Sequence, residues 1–354
     1  MNQPLSFSIA QLIPGIISCV ISVLLVLSKK WHGKHSLDTI DGVQKFHEQP
    51  TPRIGGIALF FGLIAAWWLA SGSTAQLLGQ MLLASSPAFA AGLTEDLTKK
   101  VGVRDRLIAT MLSAVAAWWL TGYSLTRVDV WGVDVVMAYL PVGVAFTAFA
   151  VAGVANATNI IDGFNGLASG TVMICFIALG LIAWQVGDLQ LVQLCVLLVV
   201  VTSGFFIVNF PFGKIFMGDG GAYLLGFLLA WVAIMLPMRN PQVSVWAPLV
   251  VCGYPVIETV FSMGRRYWNK THAGQPDSAH LHSLIKVNVV NCLVSHLSQP
   301  IRNSLVAPLC WLYAIIPATI AVVLYGHTVI LMTGWVLICV VYWILYLYVA
   351  VVNK

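Results

Sequence analysis

The stretch KIFMGDGGAYLLGFLLAWVAIMLP, residues 214–237, joins two kinds of sequence that rarely touch. From Gly221 to Pro237 it carries no charged side chain. An uninterrupted apolar run approaching ~20 residues has the length of a helix that crosses a bilayer. Directly before it, Lys214 and Asp219 stand among Gly218, Gly220 and Gly221. Charge and permissive backbone therefore sit at the mouth of an apolar helix.

The rest of the chain repeats the apolar half of that pattern. Its 354 residues are 59% hydrophobic and 9% charged, with a mean hydropathy of +0.89. Such values exclude an ordinary soluble enzyme and predict an all-α polytopic membrane protein. Residues 1–354 read as a single integral membrane domain, because no long polar segment could build a second one. About eleven transmembrane helices are expected, near 8–27, 55–71, 75–94, 107–122, 141–157, 167–186, 189–208, 221–237, 243–263, 304–325 and 328–351. The first reads as an uncleaved span, since its basic residues follow it rather than precede it. Seven cysteines are scattered without metal-ligand spacing and read as small apolar packing residues.

With eleven spans, all 18 lysines and arginines except Arg127 and Arg239 fall on one side. Basic loops stay in the cytoplasm, so the N-terminus is expected outside and the C-terminus inside. Near 125–135, valines alternate with polar residues around Trp131-Gly132, which predicts a short β-hairpin on the outer face. Of 13 acidic residues, only Asp129, Asp134 and Asp188 lie outside on this topology. The others lie in cytoplasmic loops or near cytoplasmic span ends. A proton-coupled transporter would place an acid near mid-membrane, so the pattern favours chemistry at the cytoplasmic surface.

Five loops on that surface carry the unusual residues: KFHEQPTPRIGG (45–56), GLTEDLTKKVGVRDRL (92–107), NATNIIDGFNGLA (156–168), NFPFGKIFMGDGG (209–221) and a fifth containing PDSAHLHSLI (276–285). Each has a plain explanation by itself. Asp219 could cap a helix, Glu95-Asp96 could end one in solvent, Asp162 could serve a turn, and His280 and His282 could be loop histidines. Their conjunction on one face points to something more. Carboxylates of Glu95, Asp96, Asp162 and Asp219 are hard oxygen ligands of the type Mg²⁺ takes, with Mn²⁺ as a substitute. Lys99, Lys100, Arg104, Arg106 and Lys214 add positive charge, and the glycines let backbone N–H groups approach an anion. Together they fit metal-assisted phosphoryl transfer, with Asp219 holding the metal.

Two of these stretches carry a resemblance. NATNIIDGFNGLA and NFPFGKIFMGDGG resemble motifs of the polyprenyl-phosphate N-acetylhexosamine-1-phosphate transferases, and the likeness extends from PTPRIGG to HLH. The resemblance implies transfer of a sugar 1-phosphate from a UDP-N-acetyl sugar to undecaprenyl phosphate, with release of UMP and a requirement for Mg²⁺. It implies Asp219 as metal ligand, Phe216 stacked on uracil and Asn209 holding the nucleotide. Asn156, Asn159 and Asp162 would line the nucleotide and diphosphate site. Asp96 would lie at the lipid-phosphate side, as base or as an electrostatic organiser, and His280 and His282 would contact the sugar-phosphate part of the donor. The family's lysine before its Thr-Pro motif has Glu48 and Gln49 in its place, which leaves Lys45 as the nearest candidate. Glu95 replaces an aspartate common in the family, Asn165 a second aspartate, Ala222 a serine and Ser283 a histidine. HLHS with Glu-Asp is closer to the GlcNAc-type and O-antigen branch than to the peptidoglycan branch. A lipopolysaccharide or other surface-glycan role in a bacterial inner membrane is therefore expected. Membrane lipid is the expected surrounding, a homodimer is compatible, and no nucleic-acid partner is expected. A transporter of a phosphorylated solute and a catalytically dead scaffold are the competing readings.

The 264–303 loop places Leu281, Leu284, Ile285, Val289, Leu293 and Leu297 near i, i+3, i+4 spacing. That predicts an interfacial amphipathic helix on the inner leaflet, bearing His280 and His282 near its start. If this loop reads the sugar, exchanging residues 269–290 with those of a relative of different donor preference should transfer that preference. Competition between UDP-sugars would show it, and an unchanged choice would refute it.

Overall fold

The computed structural model describes residues 9–38, 50–270 and 277–351. A 3₁₀ turn at Ile9–Leu12 leads into α1 (Ile13–Leu27), α2 (Lys29–Ser36) and β1 (Leu37–Asp38). After β2 (Thr51–Pro52) come α3 (Gly55–Leu69), α4 (Gly72–Thr98), α5 (Val103–Thr121), α6 (Val133–Met137) and α7 (Leu140–Ile160). The centre of the chain forms α8 (Leu167–Gln185), α9 (Leu189–Asn209), α10 (Gly218–Arg239), α11 (Trp246–Val251) and α12 (Gly253–Trp268). Next are α13 (Leu281–Leu284), a π-helical stretch at Ile285–Val290, α14 (Asn291–Leu293), α15 (Gln299–Ser304), α16 (Val306–Leu324) and α17 (Thr328–Val351).

Among the described residues, eight helices are long and apolar enough to cross a membrane: the first through Ile9–Leu27, then α4, α7, α8, α9, α10, α15 with α16, and α17. Elements also occupy the other three expected positions. They are α3, which has only 15 residues, α5, which opens on Arg104, Asp105 and Arg106, and the pair α11 and α12, broken at Cys252.

Helix α10 is the axis of the molecule. Its apolar window is 89% buried, against 17% for α17. Helices α4 and α7 form its main flanks, with α3 and α8 beside them. A helix that is apolar all round is buried in protein or exposed to lipid. Here the first case is α10 and the second is α17. Without water to drive association, such helices depend on close backbone approach at small residues. At Gly92 of α4 an added Cβ would lie 2.6 Å from the carbonyl carbon and oxygen of Asp219. At Gly56 of α3 it would lie 2.4 Å from the amide nitrogen of Gly221.

The expected outer hairpin is not formed. The described residues contain one sheet, the pair β1–β2, with Leu37 opposite Pro52 and Asp38 opposite Thr51. Residues 127–130 pack instead on the 237–246 segment. Arg127 donates to the carbonyls of Pro237, Pro241 and Val243. Asp129 accepts from Ser244 Oγ and the Val245 amide, and Trp246 Nε1 donates to the Val128 carbonyl. Of the backbone groups a hairpin would pair, the Val128 carbonyl is taken by Trp246 and the Val128 amide by Asp134 Oδ1, and the chain then coils into α6.

The segment from 281 to 293 is a broken helix against α16 and α17. Leu281, Ile285 and Val290 enter the protein core, whereas Leu293 is exposed. Lys286 is 2% exposed, and its Nζ has no hydrogen-bond partner. Burial, reinforced by the charge of Arg302, pushes its ammonium down to about 8.

Gly92→Ala forces Cβ into backbone that cannot yield, and should lower stability by about 1–3 kcal/mol in detergent melts. Gly153→Ala, where nothing lies within 4 Å, should be neutral or better. Lys286→Met removes an unpartnered buried charge and should stabilise by roughly 1 kcal/mol near neutral pH. Because the folded-state value lies below the unfolded one, the penalty is fully present below pH 8 and fades as pH climbs toward the unfolded value. The gap between wild type and Lys286→Met should therefore narrow over that range. A constant gap would contradict this.

Candidate active site

The site begins where Gly218, with φ of 74°, turns the chain into α10. The first amides of a helix have no partners within it and attract negative charge. Asp96, buried near the end of α4, supplies that charge. Its Oδ1 accepts the Asp219 amide at 2.8 Å and its Oδ2 the Gly220 amide at 2.8 Å. A Cβ on Gly218 would stand 2.6 Å from Asp96 Oδ2, so this position requires glycine for both conformation and space.

Backbone pairing then brings in a distant segment. Phe216 N–H donates to the Pro52 carbonyl at 2.8 Å, Gly55 N–H to Phe216 at 2.9 Å and Gly56 N–H to Met217 at 2.9 Å. Arg53 is thereby laid over the start of α10. Its Nη2 donates to Asp219 Oδ1, and its Nε lies 3.5 Å from Asp96 Oδ1. Arg106, in the first turn of α5, pairs with Asp219 Oδ2 while its guanidinium lies 5.5 Å above the Tyr223 ring. Asn159, from the end of α7, donates Nδ2 to Asp219 Oδ1 at 3.0 Å. Asp162 follows in the loop to α8. Burial pushes its carboxyl up to about 8; Arg53 and the Gly218 amide oppose this, and Asp96 reinforces it. Asp96, Asp162, Asp219 and Asn159, separated in sequence, thus meet at one helix end with two arginines.

Other expected residues stand around this centre. Asn209 spans two loops, its Oδ1 accepting the Gly166 amide at 2.6 Å and its Nδ2 donating to the Ile215 carbonyl at 2.7 Å. Phe216 lines a cavity of about 240 Å³ with Asn165, Phe212, Lys214 and Asn303. Asn156 accepts from Tyr223 OH at 3.2 Å. Glu95 is turned aside: its Oε2 accepts the Val101 amide at 2.7 Å and ties the turn after α4. Lys99, left-handed with φ of 57°, and Lys100 are exposed on that turn. Lys45 lies outside the described residues.

The histidines form a buried layer behind the Asp162 loop. Their rings stack with centroids 5.2 Å apart. His282 meets Phe164 edge-on at 5.7 Å, and a Cβ on Gly163 would lie 3.4 Å from His282 Nε2. Burial pushes the His282 imidazole down to about 4, against the pull of Glu258, so it is neutral at pH 7. Glu258 of α12 accepts from His280 Nδ1 at 2.9 Å and from the Leu281 amide at 3.3 Å. Its other oxygen accepts from Tyr342 OH at 2.8 Å. Burial works against the charge of Asp277, yet the Ala279 amide and Arg265 hold its carboxyl below the usual range. Along α17, Tyr342 serves Glu258, Tyr346 OH accepts from Arg265 at 2.6 Å and the Val349 carbonyl accepts from Asn288 at 2.8 Å.

Among the described residues no three His, Cys, Asp or Glu side chains form a ready-made metal cage. Mg²⁺ does not need one, since it retains waters and joins one or two carboxylates with substrate phosphates. Asp219, with Asp162 at the Gly218 amide that precedes it, is a donor set of that kind. The guanidinium groups on Asp219 stand where a dication's positive charge would be felt. The residues therefore fit Mg²⁺.

Arg53 and Tyr342 carry no local mark of this placement. Arg53 and Arg106 read as topogenic or nearby positive charge, and Tyr342 as one aromatic among many. Only Glu258, a lone acid inside the apolar run 243–263, offered a signal.

The sequence is similar to those of known proteins. Residues 78–237 match the model of glycosyl transferase family 4. The chain is 29% identical over 256 residues to a probable undecaprenyl-phosphate N-acetylglucosaminyl 1-phosphate transferase of Bacillus subtilis, covering 68% of this chain and 66% of that protein. It is 26% identical over 256 residues to the undecaprenyl-phosphate alpha-N-acetylglucosaminyl 1-phosphate transferase of Yersinia pestis, covering 68% and 67%. It is 29% identical over 273 residues to a decaprenyl-phosphate N-acetylglucosaminephosphotransferase of Mycobacterium tuberculosis, covering 67% and 65%. The chain thus spans about two thirds of the length of these relatives. The matched segment holds Asp96, Arg106, Asn159, Asp162 and Asp219, so the residues gathered at the start of α10 lie within the part of the chain that is similar to glycosyl transferase family 4, and the relatives named above support the likeness to polyprenyl-phosphate N-acetylhexosamine-1-phosphate transferases.

Proposed function

We propose that this protein transfers an N-acetylhexosamine 1-phosphate, GlcNAc-1-phosphate or a close relative, from a UDP-sugar to undecaprenyl phosphate at the cytoplasmic face of a bacterial inner membrane. The new bond joins an oxygen of the lipid phosphate to the sugar-bearing phosphorus. The bond from that phosphorus to UMP breaks, and UMP leaves with the electron pair. The observation that carries this reading is the convergence of Asp96, Asp162, Asp219 and Asn159 with Arg53 and Arg106 at the N-terminal end of α10. An acceptor with a polyprenyl tail must remain in lipid while its phosphate meets a soluble nucleotide, and an apolar helix bundle with charges at one end suits that demand.

Asp219 would hold Mg²⁺ with help from Asp162, and the bound ion would neutralise phosphate charge and polarise a phosphoryl oxygen. The chain's own residues supply the remainder. Arg53 and Arg106 present fixed donors to phosphoryl oxygens, where oriented charge in a water-poor site is worth most. Asp96 keeps the α10 amides aimed. Phe216 offers a face for the uracil ring, and His282, neutral beside the Asp162 loop, offers a hydrogen-bonding edge to the sugar-phosphate part of the donor. The Glu95-Asp96 pair and HLHS support the surface-glycan branch over peptidoglycan.

The test uses purified protein in detergent with undecaprenyl phosphate, Mg²⁺ and a panel of UDP-N-acetyl sugars. UMP release should require both lipid and metal. Asp219→Asn and Asp162→Asn should each lower it by about 10²–10³-fold. Lipid-independent release, or either variant at full rate, would overturn the assignment.

A further inference from the structure

Glu258 is a carboxylate at 1% exposure inside the helix bundle, and both of its oxygens are engaged, the second also lying 4.0 Å from His282 Nδ1. One oxygen takes the His280 Nδ1 hydrogen and the Leu281 amide. The other takes the hydroxyl of Tyr342, which is itself fully buried. A carboxylate only accepts, so Nδ1 of His280 must carry the hydrogen, and Nε2 is directed to the opposite edge. That edge lies 3.9 Å from Asp277 Oδ2. The face of the His280 ring supports the parallel ring of His282, tilted by only 4°. His282 in turn abuts Gly163 and Phe164, the residues that follow Asp162. One rigid column therefore runs from Tyr342 of α17 through Glu258 of α12 to the loop that carries the Asp162 carboxylate.

We propose that Glu258, braced by Tyr342, is a positioning residue for the transfer reaction: it fixes the tautomer and tilt of His280 and, through the stacked ring, seats His282 against the Asp162 loop. The inference rests on the transferase reading given above. Its physical content is separate, because a buried acceptor-only group dictates a tautomer whatever the substrate is. Partners of this kind typically matter by about 10–100-fold in activity where they orient a histidine at a metal site. Glu258 touches no reacting atom, so its loss should lower turnover more than donor affinity.

The experiment labels the full-length protein with ring-¹⁵N histidine and reads tautomers by NMR in detergent, with His280→Gln used to assign the signal. In the wild type, His280 should show the Nδ1–H form. Glu258→Gln keeps the shape but offers either an oxygen or an NH₂ group, so the Nδ1–H form should no longer dominate. In the UMP-release assay its kcat should fall by about 10–100-fold, with KM for the UDP-sugar within about threefold. Tyr342→Phe keeps the carboxylate and removes one hydrogen bond; its kcat should fall by about fivefold, the worth of one such bond. Retention of the Nδ1–H form in Glu258→Gln would overturn the proposal. So would wild-type kcat in that variant with only a lowered melting temperature, the result expected of a purely structural brace. Tautomers are read without turnover. A wild type that shows the Nδ1–H form but releases no UMP would therefore sink the transferase reading and leave the clamp geometry standing.

Discussion

Two hydrogen bonds, from the amides of Asp219 and Gly220 to the carboxylate of Asp96, hold the architecture of this protein in register. They join residues more than 120 positions apart in a place sealed from solvent. Hydrogen bonds to a charged group are worth about 1.5–3 kcal/mol each. A carboxylate left there without them would cost several kcal/mol. The interaction therefore works as a constraint: α4 and α10 can pack in one register only. The contact of Gly92 with Asp219 is the steric expression of the same fit.

Once α10 is fixed, the electrostatics of the site follow. Asp219 leaves the first turn facing Arg53, Arg106 and Asn159, and each of these reaches it from a different part of the chain. None of the three could hold this carboxylate in a loop, where water would compete for every donor. At the end of a buried helix, with Tyr223 under one guanidinium, the competition is weak and the directions are set. Positive charge is thus already arranged around a group that a phosphate-bearing ligand would approach.

Much of this was legible in the sequence because it is local. Glycines beside Asp219, the Asn-x-x-Asp spacing from Asn159 to Asp162 and the apolar runs all announce themselves within a few residues. What escaped is tertiary. Alternating valines near 130 satisfy the period of a strand, yet period alone does not say whether a second strand is available; Arg127 and Asp129 found the 237–246 segment instead. Glu95 and Asp96 look equivalent in sequence, but the helix turns one toward the α10 amides and the other toward its own following turn. Arg53 reaches Asp219 only because residues 52–56 pair with 216–217, and no nearby residue predicts that. Glu258 was visible as an anomaly, while its partners His280 and Tyr342 lie on other elements.

The last long helix has two faces with different employments. Most of α17 presents apolar side chains outward, in the manner of a simple anchor. Yet Tyr342 and Tyr346, one turn apart, hold Glu258 and Arg265 of α12, which in turn bond to His280 and the Ala279 carbonyl, and the Val349 carbonyl accepts from Asn288 just past the histidines. A tag, truncation or crowded neighbour at that end is therefore not remote from the chemistry: whatever shifts this helix along its axis also shifts the histidines.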